Sequence, residues 1–314
     1  MEIVAKLIPK LISSCHKGSC GKIAIIGGSF EYTGAPYYAA LSTLNAGGDL
    51  AFIICASEAA IPIKSYNPEV IVYPYLRSMN ENQSNIEEST VSQCVRKISD
   101  LFNRFDAIVI GPGLGRDEQI MQTASELIKE ACKQDIPLVI DGDALFLLSL
   151  NPTLIYGYKN VLLTPNNMEF TRLYNAVMKK QIKVNEIDDS GELDKSLAKE
   201  LGNISIFHKG ATDIITDGNT MLKNNKHGST RRCGGQGDIC AGTSGLFLNW
   251  SKKAQNQFDN TINMNLYGAY GASLLTRMAQ EYTFKEKHRS MTTPDVIDNI
   301  GRAFETLFPV EQYL

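Results

Sequence analysis

The chain lacks any apolar run near the ~20 residues that a membrane-spanning helix needs, and its opening stretch "MEIVAKLIPKLISS" is broken by Lys6, Pro9 and Lys10. That interruption excludes a secretory h-region, and Glu2 without any arginine departs from the Arg-rich, acid-poor makeup of a transit peptide. Residues 1–15 read instead as a short amphipathic N-terminal helix. Paired cysteines are also missing: Cys15, Cys20, Cys55, Cys94, Cys132, Cys233 and Cys240 are odd in number and show no CxxC spacing. This argues against a disulfide framework and a zinc site, and reduced thiols fit a cytoplasmic location. Nor is there an excess of charge. A net −3 gives no general attraction to nucleic acid or to a membrane surface, so a polyphosphate ligand would need a local basic pocket. A GxxxxGK[ST] loop is absent, and "GPGLGRD" (111–117) lacks the spacing of a dinucleotide fingerprint.

What is present is length and pattern. With 314 residues and 43% hydrophobic content the chain can bury a substantial core, and the absence of a linker or internal repeat predicts a single domain over 1–314. Short β-branched runs, "KIAIIGG" (22–28), "LAFIIC" (50–55), "EVIVYP" (69–74), "DAIVIGPG" (106–113), "PLVIDGD" (137–143), "NVLLTPN" (160–166) and "ISIFHKG" (204–210), alternate with helix-length segments. The alternation predicts an α/β fold, a mostly parallel central sheet with helices on both faces. "DIITDGNTMLK" (213–223) carries Gly218-Asn219 between two extended runs and predicts a hairpin at one edge. Helical patterning follows over 237–250, 258–281 and 293–308, while 77–90 reads as a loop or helix approach and 179–196 as a solvated insertion. Nearly every strand run ends in Gly, Pro, Asp or Asn, at the end where open α/β sheets bind ligands.

Several of these ends carry candidate chemistry. In "CGGQGD" (233–238) consecutive glycines let backbone N–H groups converge at the start of an apolar helix, a ready anion site. Asp238 is anomalous there, since a carboxylate repels phosphate. It is either a helix cap or a general base beside a transferring phosphoryl group. In "LTPNNMEF" (163–170) Asn166 and Glu169 share one helix face, which suits either Mg²⁺ held through water or a capping box. Lys209 offers a phosphate charge or a solvated strand end, and His208 reads as a packed strand residue. The glycines of "GPGLG" make a tight turn or a ligand contact. Tyr32 and Thr33 are available to a substrate, Tyr37 and Tyr38 to helix packing, and Asp141 and Asp143 to a cap or a ligand.

Taken in order, "GGSFEYTGAP", "IKSYNPEVIVYPYL", "IGPGLGRD", "LTPNNMEF", "HKG" and "GSTRRCGGQGD" resemble the eukaryotic ATP-dependent NAD(P)H-hydrate dehydratases, ribokinase-like enzymes, over about residues 16–310. The resemblance implies an ATP-driven dehydration of the 6S hydrate of NADH or NADPH, with ATP and Mg²⁺ as co-substrate and metal and a separate NAD(P)H-hydrate epimerase as functional partner. It implies no nucleic-acid or membrane partner and allows an assembly of identical subunits. Asp238 matches the family's base and Gly234, Gly235, Gln236 and Gly237 its anion hole. Lys209, Gly210, Ala211, Thr212 and Asp213, with Gly228, Ser229, Thr230, Arg231, Arg232 and Cys233 leading into that hole, match the ATP-binding regions. Gly113, Gly115, Asn166, Asn167, Met168, Glu169, Phe170, Thr171 and Arg172, together with Asp238, match the hydrate-binding regions, and Glu169 resembles the element tied to Mg²⁺. The chain departs from the family's usual Asp-Ala-Asp-Gly at Asp141-Gly142-Asp143-Ala144. The alternative is a ribokinase-like kinase of a vitamin precursor of hydroxymethylpyrimidine or hydroxyethylthiazole type; a further one is an idle nucleotide-binding protein that kept the fold.

Overall fold

Ile23, Ile25, Ile53 and Ile54 have no exposed surface, and because successive strand side chains point to opposite faces, the sheet they form is covered on both. The computed structural model describes residues 1–79, 88–259 and 261–309. Its nine strands are β1 (Lys22–Ile26), β2 (Leu50–Ala56), β3 (Ile71–Leu76), β4 (Ala107–Ile110), β5 (Leu138–Ile140), β6 (Val161–Leu163), β7 (Ser205–His208), β8 (Asp213–Thr216) and β9 (Met221–Asn224). They lie in the order β3-β2-β1-β4-β5-β6-β7-β8-β9. From β3 to β7 every pairing is parallel, and β8 and β9 add the antiparallel hairpin expected at one edge.

Among the described residues the helices are α1 (Glu2–Leu7), α2 (Gly34–Asn45), α3 (Ser57–Tyr66), α4 (Glu88–Ser99), α5 (Glu118–Lys133), α6 (Gly142–Leu150), α7 (Asn167–Met178), α8 (Glu192–Glu200), α9 (Gln236–Ala254), α10 (Met264–Lys287), α11 (Thr293–Asp298) and α12 (Ile300–Leu307). One contiguous group joins α1, α2 and α9 to α12, and another runs from α4 to α8. Helix α9 lies so close to α2 that a Cβ at Gly242 would come 2.0 Å from the Ala39 carbonyl oxygen, so only glycine permits that approach.

Three expectations change. The N-terminal helix stops at Leu7, and Ile8 is extended (φ −73°, ψ 124°), as the residue before Pro9 prefers; Val4 and Leu7 are buried while Leu11 and Ile12 are exposed. The helix over 293–308 is two helices broken at Asn299. The solvated insertion is only partly that: α8 begins inside it, and Asp194 is 1% exposed. Of the loop or helix approach read over 77–90, residues 80–87 lie outside the described residues, and 88–90 open α4, as a helix approach does. No described helix is long and apolar enough to cross a membrane.

Candidate active site

The order β2-β1-β4-β5 reverses direction between β1 and β4, which is where doubly wound sheets open a crevice at their carboxyl ends. The turns after these two strands interlock, with the Gly28 N–H donating to the Gly113 carbonyl at 3.0 Å. The Gly115 N–H donates to Asp143 Oδ2, also at 3.0 Å. Gly113 (φ 57°) would place a Cβ 2.9 Å from Tyr32, so turn packing alone accounts for it.

Further along, Lys209 leaves β7 beside the start of α7, its N–H donating to the Pro165 carbonyl at 2.8 Å. Its ammonium donates to Asp141 Oδ1 at 2.7 Å, and the same oxygen accepts the Thr164 hydroxyl at 2.8 Å. Lys209 is therefore no solvated strand end. Burial alone would depress its pKa, but Asp141 and Glu169 overcome this and hold the ammonium above the usual lysine range. A Cβ on Gly237 would lie 3.4 Å from that nitrogen, which places the cation under the first turn of α9.

That turn answers the question raised by Asp238. Gly235, at φ 102°, occupies the N-cap position, and Asp238 stands three residues in with no capping bond. The carboxylate accepts no hydrogen bond from any described residue. Burial, then the neighbouring Asp141, with Glu169 and Asp143 adding to it against Lys209, push its pKa up to about 7. A half-buried carboxylate with no partner among the described residues, poised near neutrality, has the properties of a general base.

At the start of α7 the capping box is real: Asn166 Oδ1 accepts the Met168 and Glu169 N–H groups at 3.0 Å, and Glu169 Oε2 accepts the Asn166 N–H at 2.8 Å. Burial, opposed by Lys209, raises the Glu169 pKa. Phe170 has no exposed surface and stacks on His208, so it packs behind the site and offers a ligand no surface. Met168 is exposed, Thr171 Oγ1 donates to the Asn167 carbonyl, and Arg172 lies over the Phe146 ring at 5.5 Å.

A cleft of about 760 Å³ opens between these elements and α10. Its walls include Asn166, Asn167, Met168, Lys209, Gly210, Ala211, Asp213, Gly228, Ser229, Thr230, Arg232, Cys233, Gln236 and Gly237. Thr212 bonds Asp189 instead, and the Arg231 carbonyl accepts the Ser229 hydroxyl and the Gln236 amide, closing the glycine loop on itself. The Asp213 carboxylate is fully engaged: it receives Arg277 at 2.7 and 2.6 Å, Ser273 at 2.6 Å and the Gly210 N–H at 3.0 Å. It shapes the Lys209–Asp213 loop and, as an acceptor-only carboxylate, makes no bond to a phosphate oxygen. Arg277, Gln280, Asn225 and His227 also line the cleft and were not found by sequence reasoning. Arg277 sits within an apolar helical pattern, 64 residues from its partner, so no local spacing reveals it.

Residues 23–302 match the family described as NAD(P)H-hydrate dehydratase. The chain belongs to the NAD(P)H-hydrate dehydratase family. The human ATP-dependent (S)-NAD(P)H-hydrate dehydratase is 41% identical over 98% of this chain and 84% of its own length. The counterpart in the moss Physcomitrium patens is 40% identical over 98% and 95%. Among solved structures, a ribokinase-like superfamily protein from Enterococcus faecalis superposes with TM-score 0.75 at 22% identity, covering 98% and 94% of the two chains. The Bacillus subtilis ADP/ATP-dependent NAD(P)H-hydrate dehydratase co-crystallised with ATP/Mg²⁺ gives 0.69 at 21%, covering 97% and 96%. These structural likenesses establish a ribokinase-like fold.

Proposed function

We propose that this chain dehydrates the 6S hydrate of NADH or NADPH at the expense of ATP, repairing a damaged nicotinamide cofactor. The observation that carries the reading is family membership across nearly the whole chain, joined to a free carboxylate at Asp238 beside a glycine-rich helix start. The ring hydroxyl of the hydrate attacks the γ-phosphorus while Asp238 takes its proton, and ADP leaves. The ring nitrogen lone pair then expels the phosphate by C–O cleavage, and loss of the adjacent ring proton restores the double bond. N–H groups of Gly234, Gly235 and Gly237 and the dipole of α9 face the transferring charge, while the Gln236 N–H donates to the Cys233 carbonyl and closes the turn. Lys209 and Arg232 supply the basic pocket that a net −3 chain otherwise lacks. The Gly113–Gly115 turn and the exposed face of Asn166–Arg172 border the hydrate.

Mg²⁺ fits as an ion carried with the nucleotide. Among the described residues no group of three or more His, Cys, Asp or Glu is arranged to hold a metal ion, and one oxygen of Glu169 is left free by the capping box. Such an ion, held through water by one carboxylate, would neutralise phosphate charge. The same reading includes a single domain over 1–314, a cytoplasmic setting, functional partnership with a separate epimerase, and self-association as the resemblance allows. A mixture of NADH hydrate, ATP and Mg²⁺ should regain its near-ultraviolet dihydronicotinamide absorbance on adding the protein. A stable phosphorylated product without that absorbance would favour the vitamin-precursor kinase.

A further inference from the structure

The turn after β4 carries a cation that the chemical step does not use. Arg116, one residue past Gly115 and one before the Asp117 cap of α5, holds its Cζ 4.2 Å from the centre of the Phe146 ring. The Cζ of Arg172, from α7, lies 5.5 Å from the centre of the same ring. Phe146 and Asp143 are three residues apart on α6 and share a face. The Arg116 Nε stands 3.6 Å from Asp143 Oδ1 with 57% of the arginine side chain exposed, a pairing that contributes little. Arg172 is exposed and makes no hydrogen bond or ion pair with any described residue. Contact with a ring consumes no N–H, so both guanidinium groups keep their donors. Two like charges on one ring repel each other, and an anion between them reverses the sign of that interaction.

The substrate calls for such a place. Asp238 has Asp141, Asp143 and Glu169 around it, with Lys209 as the opposing cation. A hydrated dihydronicotinamide dinucleotide carries a pyrophosphate one ribose away from the reacting ring, and these carboxylates repel it. The ring reaches Asp238 only where the pyrophosphate meets cations of its own. Lys209 and Arg232 line the cleft read as the ATP site, whereas Arg116, Phe146 and Arg172 do not. They adjoin the reacting centre through Asp143, whose Oδ2 accepts the Gly115 N–H. We propose that Arg116 and Arg172, braced on Phe146, form a clamp for the pyrophosphate of the dinucleotide hydrate, outside the ATP cleft. Planar guanidinium forks match phosphate oxygens in pairs. The inference rests on the hydrate reading of the site and assigns its anionic arm. The pyrophosphate is common to NADH and NADPH hydrates, so the clamp serves both alike. Phe146 sits in an apolar helical run, and nothing in that pattern marks it as part of a site.

The test is turnover of the hydrates of NADH, of NADPH and of reduced nicotinamide riboside, which carries no phosphate, joined to calorimetry of hydrate binding without ATP. Arg116→Gln and Arg172→Gln should each raise KM for both dinucleotide hydrates by about 10- to 100-fold, the scale of a hydrogen bond to a charged group, and move kcat far less. Their loss on the riboside hydrate should be smaller by about tenfold or more, and ATP affinity should not follow it. Arg116→Lys, which keeps the charge without the fork, should recover part of the loss. Both side chains are exposed, so the variants should melt close to wild type. Dinucleotide KM values at the wild-type level, or a riboside hydrate that suffers as much, would overturn the clamp. A loss confined to NADPH hydrate would move the arginines to the 2′-phosphate and overturn it too. A wild type that binds hydrate through the arginines yet restores no absorbance with ATP would overturn the proposed reaction alone, and the binding data would uphold the clamp.

Discussion

At Asp238 the folded chain holds a carboxylate that accepts no hydrogen bond from any described residue, near Asp141, Asp143 and Glu169. Its pKa rises from 3.8 to about 7, so the folded state binds its proton more tightly than the unfolded state does. Wild-type stability therefore falls as pH rises through the interval between those values. Asp238→Asn, which mimics the protonated form, should gain about 0.5–2 kcal/mol above pH ~7 and nothing below pH ~4, read from melting curves. Its turnover should fall by about 10² to 10⁴, and wild-type kcat/KM should lose activity on the acid side near pH ~7. A variant that stays active and melts lower would instead make Asp238 structural. At Glu169 a glutamine still serves the capping box. Glu169→Gln should keep its melting temperature while needing more Mg²⁺ for half-maximal rate; unchanged metal dependence would leave Glu169 as a cap alone. The residue types at both positions were visible in sequence, but not their charge environment. Asp141, Lys209 and Asp238 come from three distant elements, and only the closed sheet brings them together.

The first turn of α9 separates two glycines that look alike in sequence. Gly235 adopts φ 102°, and a Cβ there would meet Tyr38 at 2.7 Å and Thr293 at 2.9 Å. Gly234 has no atom within 4 Å of the same position and no such φ. Gly235→Ala should therefore cost about 1–3 kcal/mol of stability. Gly234→Ala should leave the stability within about 0.5 kcal/mol of wild type, yet cut kcat by about tenfold or more as its methyl crowds the phosphate. Equal loss of stability in both would remove Gly234 from the phosphate site. Elements as such were largely legible. The seven strand runs and the hairpin are all present, because parallel strands buried on both faces write themselves as unbroken β-branched runs. Ends were less so: Pro9 cuts the first helix short, and Asn299 divides the last.

For the whole molecule, the nine-stranded sheet gathers the carboxyl ends of β1, β4, β5, β6 and β7 into one region, flanked by α9 and α10. The fold alone does not choose a reaction, since a hydroxyethylthiazole kinase from Pyrococcus horikoshii shares it with TM-score 0.60 at 15% identity. What distinguishes dehydration is the fate of one oxygen atom. If the hydrate's hydroxyl is the nucleophile and Asp238 its base, hydrate labelled with heavy oxygen at that hydroxyl should deliver the label into inorganic phosphate, one atom for each dihydronicotinamide restored. Label recovered in water, with unlabelled phosphate, would contradict phosphorylation of the ring hydroxyl and the mechanism built on it.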